Sequence, residues 1–240
     1  MSVLIDGIVH GARLVLTADP EVVGIVALTL EVSVVSVVLS LLLGTPLGIW
    51  LSFASGRLRN LLLALVNTGM AAPPVTVGLL VFVLLSRNGP LGAFDLLYTP
   101  AAIVIAQTLI GLPVVAGLVY AALSQVPADI ALQALGLGAS KLDALKLVVR
   151  EARLGAVAAL VAVFGAIISE VGAVMMVGGN IRGETRTLTT AIVTETRMGN
   201  FALAFALAII LFLLAFLANL VFTRLQRTGE EVSWWYRSWK

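Results

Sequence analysis

The sequence predicts an all-α integral membrane protein with about five transmembrane helices and no soluble domain. Three observations lead there. Hydrophobic residues make up 60% of the 240 positions, charged residues only 12%, and the mean hydropathy is +1.08. A soluble fold of this size has too few polar groups to cover that much apolar surface. The apolar residues also fall in runs long enough for about 20 helical residues, the length that crosses a hydrocarbon core of about 30 Å. Finally, the polar connections between those runs are too short to build a core of their own.

The chain opens with "IDGIVHGARLVL", in which Asp6, His10 and Arg13 interrupt an apolar stretch. No basic leader precedes it, so residues 1–20 are expected to form an amphipathic segment at the membrane interface rather than a cleaved signal. Spans are then expected at 22–53, 60–85, 99–123, 154–178 and 201–223. Gly44, Pro46 and Gly48 soften the end of the first. Pro73-Pro74 and Pro113 mark the second and third as irregular, because proline at membrane depth frees carbonyls that protein or a water-lined cavity must satisfy. Glu31 and Gln107 are the polar candidates inside spans, and Gln107 with Thr108 suits hydrogen bonding between helices. The tail, 226–240, ends in "SWWYRSWK", aromatic and basic like an interfacial anchor.

Five spans place the termini on opposite sides. Arg57, Arg59, Lys141, Lys146, Arg150, Arg153, Arg224, Arg227, Arg237 and Lys240 share one side, and five of the 15 basic residues share the other: Arg13, Arg87, Arg182, Arg186 and Arg197. The excess of positive charge marks the cytoplasmic face, which puts the C-terminus inside and the N-terminus outside. No cysteine and a single histidine leave no thiolate or histidine metal site, and no cofactor is expected. Nothing in the charge pattern points to nucleic acid. The H-E-x-x-H and G-x-S-x-G motifs are missing, as is any acid–base cluster within a span, which argues against a membrane-embedded enzyme. A self-contained ion-coupled transporter would need more polar residues at mid-membrane than Glu31 and Gln107.

Two stretches carry the functional information. The first is "QALGLGASKLDALKLVVREA", residues 133–152, a charged island between apolar spans. Ser140 and Asp143 stand in the S-x-x-[DE] relation of a capping box. Leu142, Leu145 and Val149 then repeat at helical spacing on one face. Gly136 and Gly138 let the chain turn between this helix and a shorter one opened by Pro127. The G-x-x-x-x-G-K-[ST] pattern is absent, so the glycines are a bend and not a phosphate cradle. The second stretch is "ISEVGAVMMVGGNIRGETRTLTTAIVTET", residues 168–196. Glu170 is ionisable within an apolar span, about 25 Å along the helix from Arg153 and so toward the outer face. Asn180, Arg182, Thr185, Arg186 and Thr187 follow in an outer loop, where guanidinium and hydroxyl donors suit a tetrahedral oxyanion or the arginines hold an external binding protein.

The segment "LQALGLGASKLDALKLVVREA" resembles the coupling segment of permease subunits of binding-protein-dependent ABC importers. The family glycine falls on Gly138, followed by Ala139 and Ser140, and the second alanine of its E-A-A falls on Ala134. Leu132 and Gln133 replace the glutamate and first alanine, and Arg150-Glu151 the terminal leucine-proline. "GGNIRGETRTLTTAI" resembles the loop before the last span of molybdate and tungstate permeases, with "SEVGAVMMVGGNI" and "TADPEVVGI" leaning toward the tungstate-type branch. The resemblance implies a type I ABC importer permease (MetI-like) fold over 21–225, with a cytoplasmic coupling helix in the loop 125–152. Its ATPase-coupling residues would be Ala134, Gly136, Gly138, Ala139, Ser140 and Asp143. Its pathway or gate residues would be Glu170, Asn180, Arg182, Thr185, Arg186 and Thr187. It further implies a homodimer in the cell membrane, two copies of a separate ATPase subunit, an extracytoplasmic substrate-binding protein, and tungstate, molybdate, sulfate or another anion as substrate. Catalysis would belong to the ATPase.

Overall fold

A computed structural model describes residues 19–237 and the isolated positions 5, 6, 9, 13 and 17, with side chains to Arg224 except that of Leu154. The expected interfacial segment 1–20 therefore lies largely outside the described residues, as do the tail's side chains. The described residues form helices α1 (Pro20–Phe53), α2 (Arg57–Ala71), α3 (Pro74–Leu85), α4 (Pro100–Ser124), α5 (Ala128–Gly136), α6 (Lys141–Glu151), α7 (Arg153–Ile168), α8 (Gly172–Gly178), α9 (Leu188–Arg197) and α10 (Phe201–Arg237), with a short 3₁₀ turn at Gly92–Phe94. No strand occurs among them.

Three helices are long and apolar enough to cross a membrane alone: Pro20–Phe53, Pro100–Ser124 and Phe201–Arg224. Bent pairs raise the number to as many as five. The expected second span is broken at Ala72-Pro73 into α2 and α3. Pro73 has no N–H to donate, and Pro74 supplies the preset φ of a helix start. The expected fourth span, 154–178, is also broken, at residues 169–171, into α7 and α8. By length alone α6 could extend α7 instead. However, α6 carries Lys141, Asp143, Lys146, Arg150 and Glu151, whereas α8 carries no charge, so α8 is the segment suited to hydrocarbon. Helix α4 runs unbroken from Pro100 to Ser124 with Pro113 inside it.

The contacts divide the chain into two units. The first comprises the described residues up to Val38 with Ala72–Gly111 and Phe164–Ala218. Its main core joins Val32, Val81, Leu85, Ile103, Val174 and Val177, and a second cluster gathers Val22, Ile25, Leu188 and Leu207. Helices α3 and α8 meet through small residues: a Cβ added at Gly78 would lie 2.6 Å from Ala173 Cα. Gln107 is buried, with its amide donating to the Ile167 carbonyl at 3.2 Å and accepting from the Ser36 hydroxyl at 3.0 Å. It thereby ties α1, α4 and the end of α7 together, at a carbonyl that also accepts from Glu170 N–H at 3.2 Å.

The second unit comprises Leu39–Ala71, Leu112–Val163 and Asn219–Lys240. Here Gly44 and Gly48 do not soften α1, which continues to Phe53. They let α1 and α4 approach: an added Cβ at Gly48 would lie 2.6 Å from the Ala116 carbonyl oxygen, and one at Gly44 2.8 Å from Val115 Cβ. This is the small-xxx-small seam of packed membrane helices. Arg59 closes the end of α1, donating to the Leu51 carbonyl at 3.2 Å and to the Tyr120 hydroxyl at 2.8 Å.

Gly48→Val is expected to force the α1–α4 seam apart. It should cost about 1–3 kcal/mol, the usual range for overpacking, seen as a lower midpoint of thermal unfolding in detergent. Gly24→Ala, where nothing lies within 4 Å of an added Cβ, is the control and should leave the midpoint nearly unchanged.

Candidate functional site

The charged island folds into an elbow inside the second unit. Helix α5 ends in a Schellman motif: Ala139 N–H donates to the Ala134 carbonyl and Gly138 N–H to the Leu135 carbonyl, both at 3.0 Å. Gly138 has φ of +89°, the left-handed region that glycine occupies without steric cost, whereas Gly136 is simply the last helical residue. Only one of the two glycines is thus needed for the turn. Ser140 then caps α6, accepting from Asp143 N–H at 3.2 Å while its hydroxyl donates to Asp143 Oδ2 at 2.6 Å. The expected reciprocal box is half formed, since Asp143 reaches the hydroxyl of Ser140 rather than its backbone amide. Ser140 first, and the Lys146 ammonium at 3.3 Å second, hold the Asp143 carboxyl below its usual pKa. This contribution to the cap is in place above the ordinary carboxylate range and is lost as pH falls through the lowered value.

Ala134, Gly136, Gly138, Ala139, Ser140 and Asp143 therefore occupy one short elbow. It turns Leu132, Leu137 and Leu142 outward, each more than 60% exposed, while Ala144 and Val148 are buried. These exposed leucines stand on the same short elbow as the charged Lys141, Asp143 and Lys146.

The second stretch lies within the first unit. Glu170 sits in the break before α8 and is buried. Its Oε1 accepts from Ala173 N–H at 2.9 Å, satisfying an amide at the start of α8, and its carbonyl accepts from the Thr189 hydroxyl at 2.9 Å. Gly179 and Asn180 end α8 with positive φ, and the Asn180 amide donates to Thr194 Oγ1 at 2.7 Å. Thr185 is fully buried, donating to the Gly178 carbonyl at 2.5 Å and accepting from Ile181 N–H at 2.9 Å. Thr187 caps α9 in a reciprocal box with Thr190, a pattern the sequence hides because threonine stands where glutamate or glutamine is usual. These hydroxyls are committed to holding the loop.

The two arginines differ. Arg182 is largely exposed and grips Glu21, at the start of α1, with both its Nε and NH2 groups. Arg186 is mostly enclosed, with Glu195 at 3.8 Å and Glu21 at 4.0 Å. Glu195 is buried and also accepts from the Asn200 amide at 2.9 Å. Neither Glu21 nor Glu195 stands out in the sequence, for both are far from the arginines in chain order or on another element. An exposed pair such as Glu21–Arg182 is worth about 0–1 kcal/mol, whereas removing one partner of an enclosed pair costs about 3–5 kcal/mol. Among the described residues no group of acidic and histidine side chains is arranged to hold a metal ion.

This architecture, a membrane body of broken helices with a capped elbow between spans, is shared with known transporters. The chain belongs to the family of binding-protein-dependent transport system inner membrane components, matched over residues 44–228. A probable anion ABC transporter permease protein of Haloferax volcanii is 44% identical over 82% of this chain and 87% of its own. A tungstate uptake system permease protein, TupB, of Peptoclostridium acidaminophilum is 38% identical over 94% of this chain and 99% of its own. A molybdenum transport system permease protein, ModB, of Azotobacter vinelandii is more distant, at 31% over 76% and 84%. Among solved structures, the inward-facing MetNI methionine ABC transporter aligns over 88% of this chain and 96% of its own, with a TM-score of 0.73 at 20% identity. The fold is thus that of a MetI-like importer permease, and the protein is a multi-pass membrane subunit of an ABC importer.

Glu170→Leu is expected to leave the Ala173 amide unpaired and to cost about 1–3 kcal/mol, read as a lower unfolding midpoint. Glu170→Gln keeps an acceptor and should recover most of that loss. Arg186→Ala should destabilise by about 3–5 kcal/mol and Arg182→Ala by less than about 1 kcal/mol; equal effects in the same assay would refute this division of roles.

Proposed function

We propose that the chain is the translocation subunit of a tungstate importer. The observation that carries this reading is the similarity to a tungstate uptake permease across 94% of the chain, against a shorter and weaker similarity to a molybdenum permease. The loop 178–190 adds chemistry in keeping with it, since the exposed guanidinium of Arg182 matches the oxygens of a tetrahedral oxyanion. A second reading, import of another anion, is favoured by the 44% identity to a probable anion permease.

In this scheme two copies of the chain enclose one pathway, with the N-terminus outside and the C-terminus in the cytoplasm. Two copies of a separate ATPase supply the hydrolysis, and the chain itself catalyses nothing. The elbow α5–α6 docks into each ATPase through its exposed leucines and carries the ATPase movement to the membrane helices. An extracytoplasmic receptor delivers the oxyanion to the face that bears Arg182. Arg182 is the arginine free to exchange its carboxylate partner, while Arg186 and Glu195 brace the loop. Asn180, Thr185 and Thr187 shape the loop and Glu170 shapes the break below it. The transport body is 21–225.

The assembled transporter in vesicles, with its receptor, should accumulate tungstate only with ATP, and its receptor should bind tungstate more tightly than molybdate or sulfate. Uptake by the chain alone along an ion gradient would overturn the importer reading, and a receptor that prefers sulfate would move the substrate. Gly138→Val forces a β-branched residue into the left-handed region at a cost of about 1–3 kcal/mol. It should lower both co-purification of the ATPase and transport.

A further inference from the structure

The second unit contains a groove that plays no part in the docking face or the outer loop. It measures about 810 Å³ and lies between the last turns of α1, at Trp50 and Phe53, and the inner side of the elbow, at Leu135, Leu145 and Val148. Pockets of ~300–1,000 Å³ hold organic ligands, and the walls of this one are almost wholly apolar. Trp50 and Phe53 are exposed within it, at 43% and 55%. Lys141 stands on the rim. Its ammonium has no ion-pair partner among the described residues, unlike the neighbouring Lys146, which pairs with Asp143.

Position decides what fills such a groove. Trp50 and Phe53 close a membrane-spanning helix, so the groove opens where the span leaves the hydrocarbon. Acyl chains are the solvent at that level, and water gains little from apolar walls. A tryptophan at a membrane boundary favours the headgroup zone. A free ammonium on the cytoplasmic side favours an anionic headgroup, and basic pockets beside spans on that side take such lipids.

We infer that this groove is a binding site for an anionic glycerophospholipid of the cytoplasmic leaflet. An acyl chain lies along Trp50, Phe53 and Leu145, and the phosphate pairs with Lys141. The lipid touches both the end of α1 and both helices of the elbow, so it makes the elbow's seating depend on membrane composition. The inference rests on the orientation proposed above, with the elbow in the cytoplasm, and not on the identity of the oxyanion.

The test uses the transporter assembled with its ATPase and receptor, carrying Trp234→Phe, Trp235→Phe and Trp239→Phe so that Trp50 is the remaining tryptophan of this chain, with quenching referred to the same assembly carrying Trp50→Phe as well. It is placed in phosphatidylcholine vesicles containing brominated phosphatidylglycerol or, at the same mole fraction, brominated phosphatidylcholine. The expected result is a roughly fivefold preference of Trp50 quenching for the anionic lipid, the weight of one basic side chain at an anionic surface. Lys141→Ala should abolish the preference, and Ala131→Phe, which fills the groove, should weaken quenching by both lipids. Equal quenching by both lipids in the parent, or an unchanged preference in Lys141→Ala, overturns the site. Protection of Trp50 from both lipids also overturns it. Because the chain has no cysteine, Lys141→Cys reports orientation separately. Labelling by an impermeant maleimide from outside intact cells would overturn both the orientation and the site, whereas labelling from the cytoplasm with no lipid preference would overturn the site alone.

Discussion

The structure depends on how this chain satisfies backbone groups where its membrane helices are interrupted. In hydrocarbon an unpaired N–H or C=O costs several kcal/mol, so a broken span survives only if each orphan finds a partner. At residues 169–171 side chains add to backbone pairing, in which Glu170 N–H donates to the Ile167 carbonyl at 3.2 Å. Glu170 takes the Ala173 amide, Gln107 takes the Ile167 carbonyl, and Thr189 takes the Glu170 carbonyl. Leu188 N–H then donates to Thr29 on α1 at 2.9 Å. The break, the start of α9 and the first span are therefore one hydrogen-bonded assembly. A polar residue that looks expensive in a hydropathy plot is here the condition for the irregular backbone beside it.

Small residues supply the complementary constraint. Without a strong hydrophobic force between helices in lipid, close approach and dispersion hold the bundle together. Gly78 against Ala173 does this in the first unit, and Gly44 and Gly48 against α4 do it in the second. Pro113 belongs to the same logic, for a Cβ added at Gly69 would lie 2.8 Å from the Pro113 ring. The Pro113 ring is accommodated by a missing side chain opposite it.

This explains which features were legible from sequence. Spans, the elbow and the Ser140 cap depend on local spacing, and their signals lie within a few residues of one another. The break at 169–171 was hidden because its causes are distant: Gln107 is 60 residues from Ile167, and Thr189 is 19 from Glu170. Pro73-Pro74 announced the other break because proline removes a donor wherever it stands. Arg182 and Arg186 look alike in "IRGETR", and only the fold separates them, since Glu21 lies 161 residues away from Arg182. Glycines were misread for the same reason, for periodicity cannot tell a flexible glycine from one pressed against a neighbouring helix.

The elbow shows how local chemistry can serve a long-range role. In the proposed scheme the elbow must pass displacement and not absorb it, which requires few soft dihedrals between its two helices. The Schellman closure fixes Gly138 and Ala139, and the Ser140 cap fixes the next residue, so α5 and α6 are joined with no residue left outside a hydrogen-bonded turn. The departures from the family pattern spare this part. Ala134, Gly138 and Ala139 are the positions that form the closure, whereas Leu132, in place of the family glutamate, is exposed on the outer surface. A rigid joint rests on backbone geometry, here the left-handed φ of +89° at Gly138. Selection for a partner acts on surface chemistry, which can change whenever the partner's groove changes with it. The joint is therefore the transferable part of the motif, and an ATPase that accepts Leu132 should present an apolar patch there.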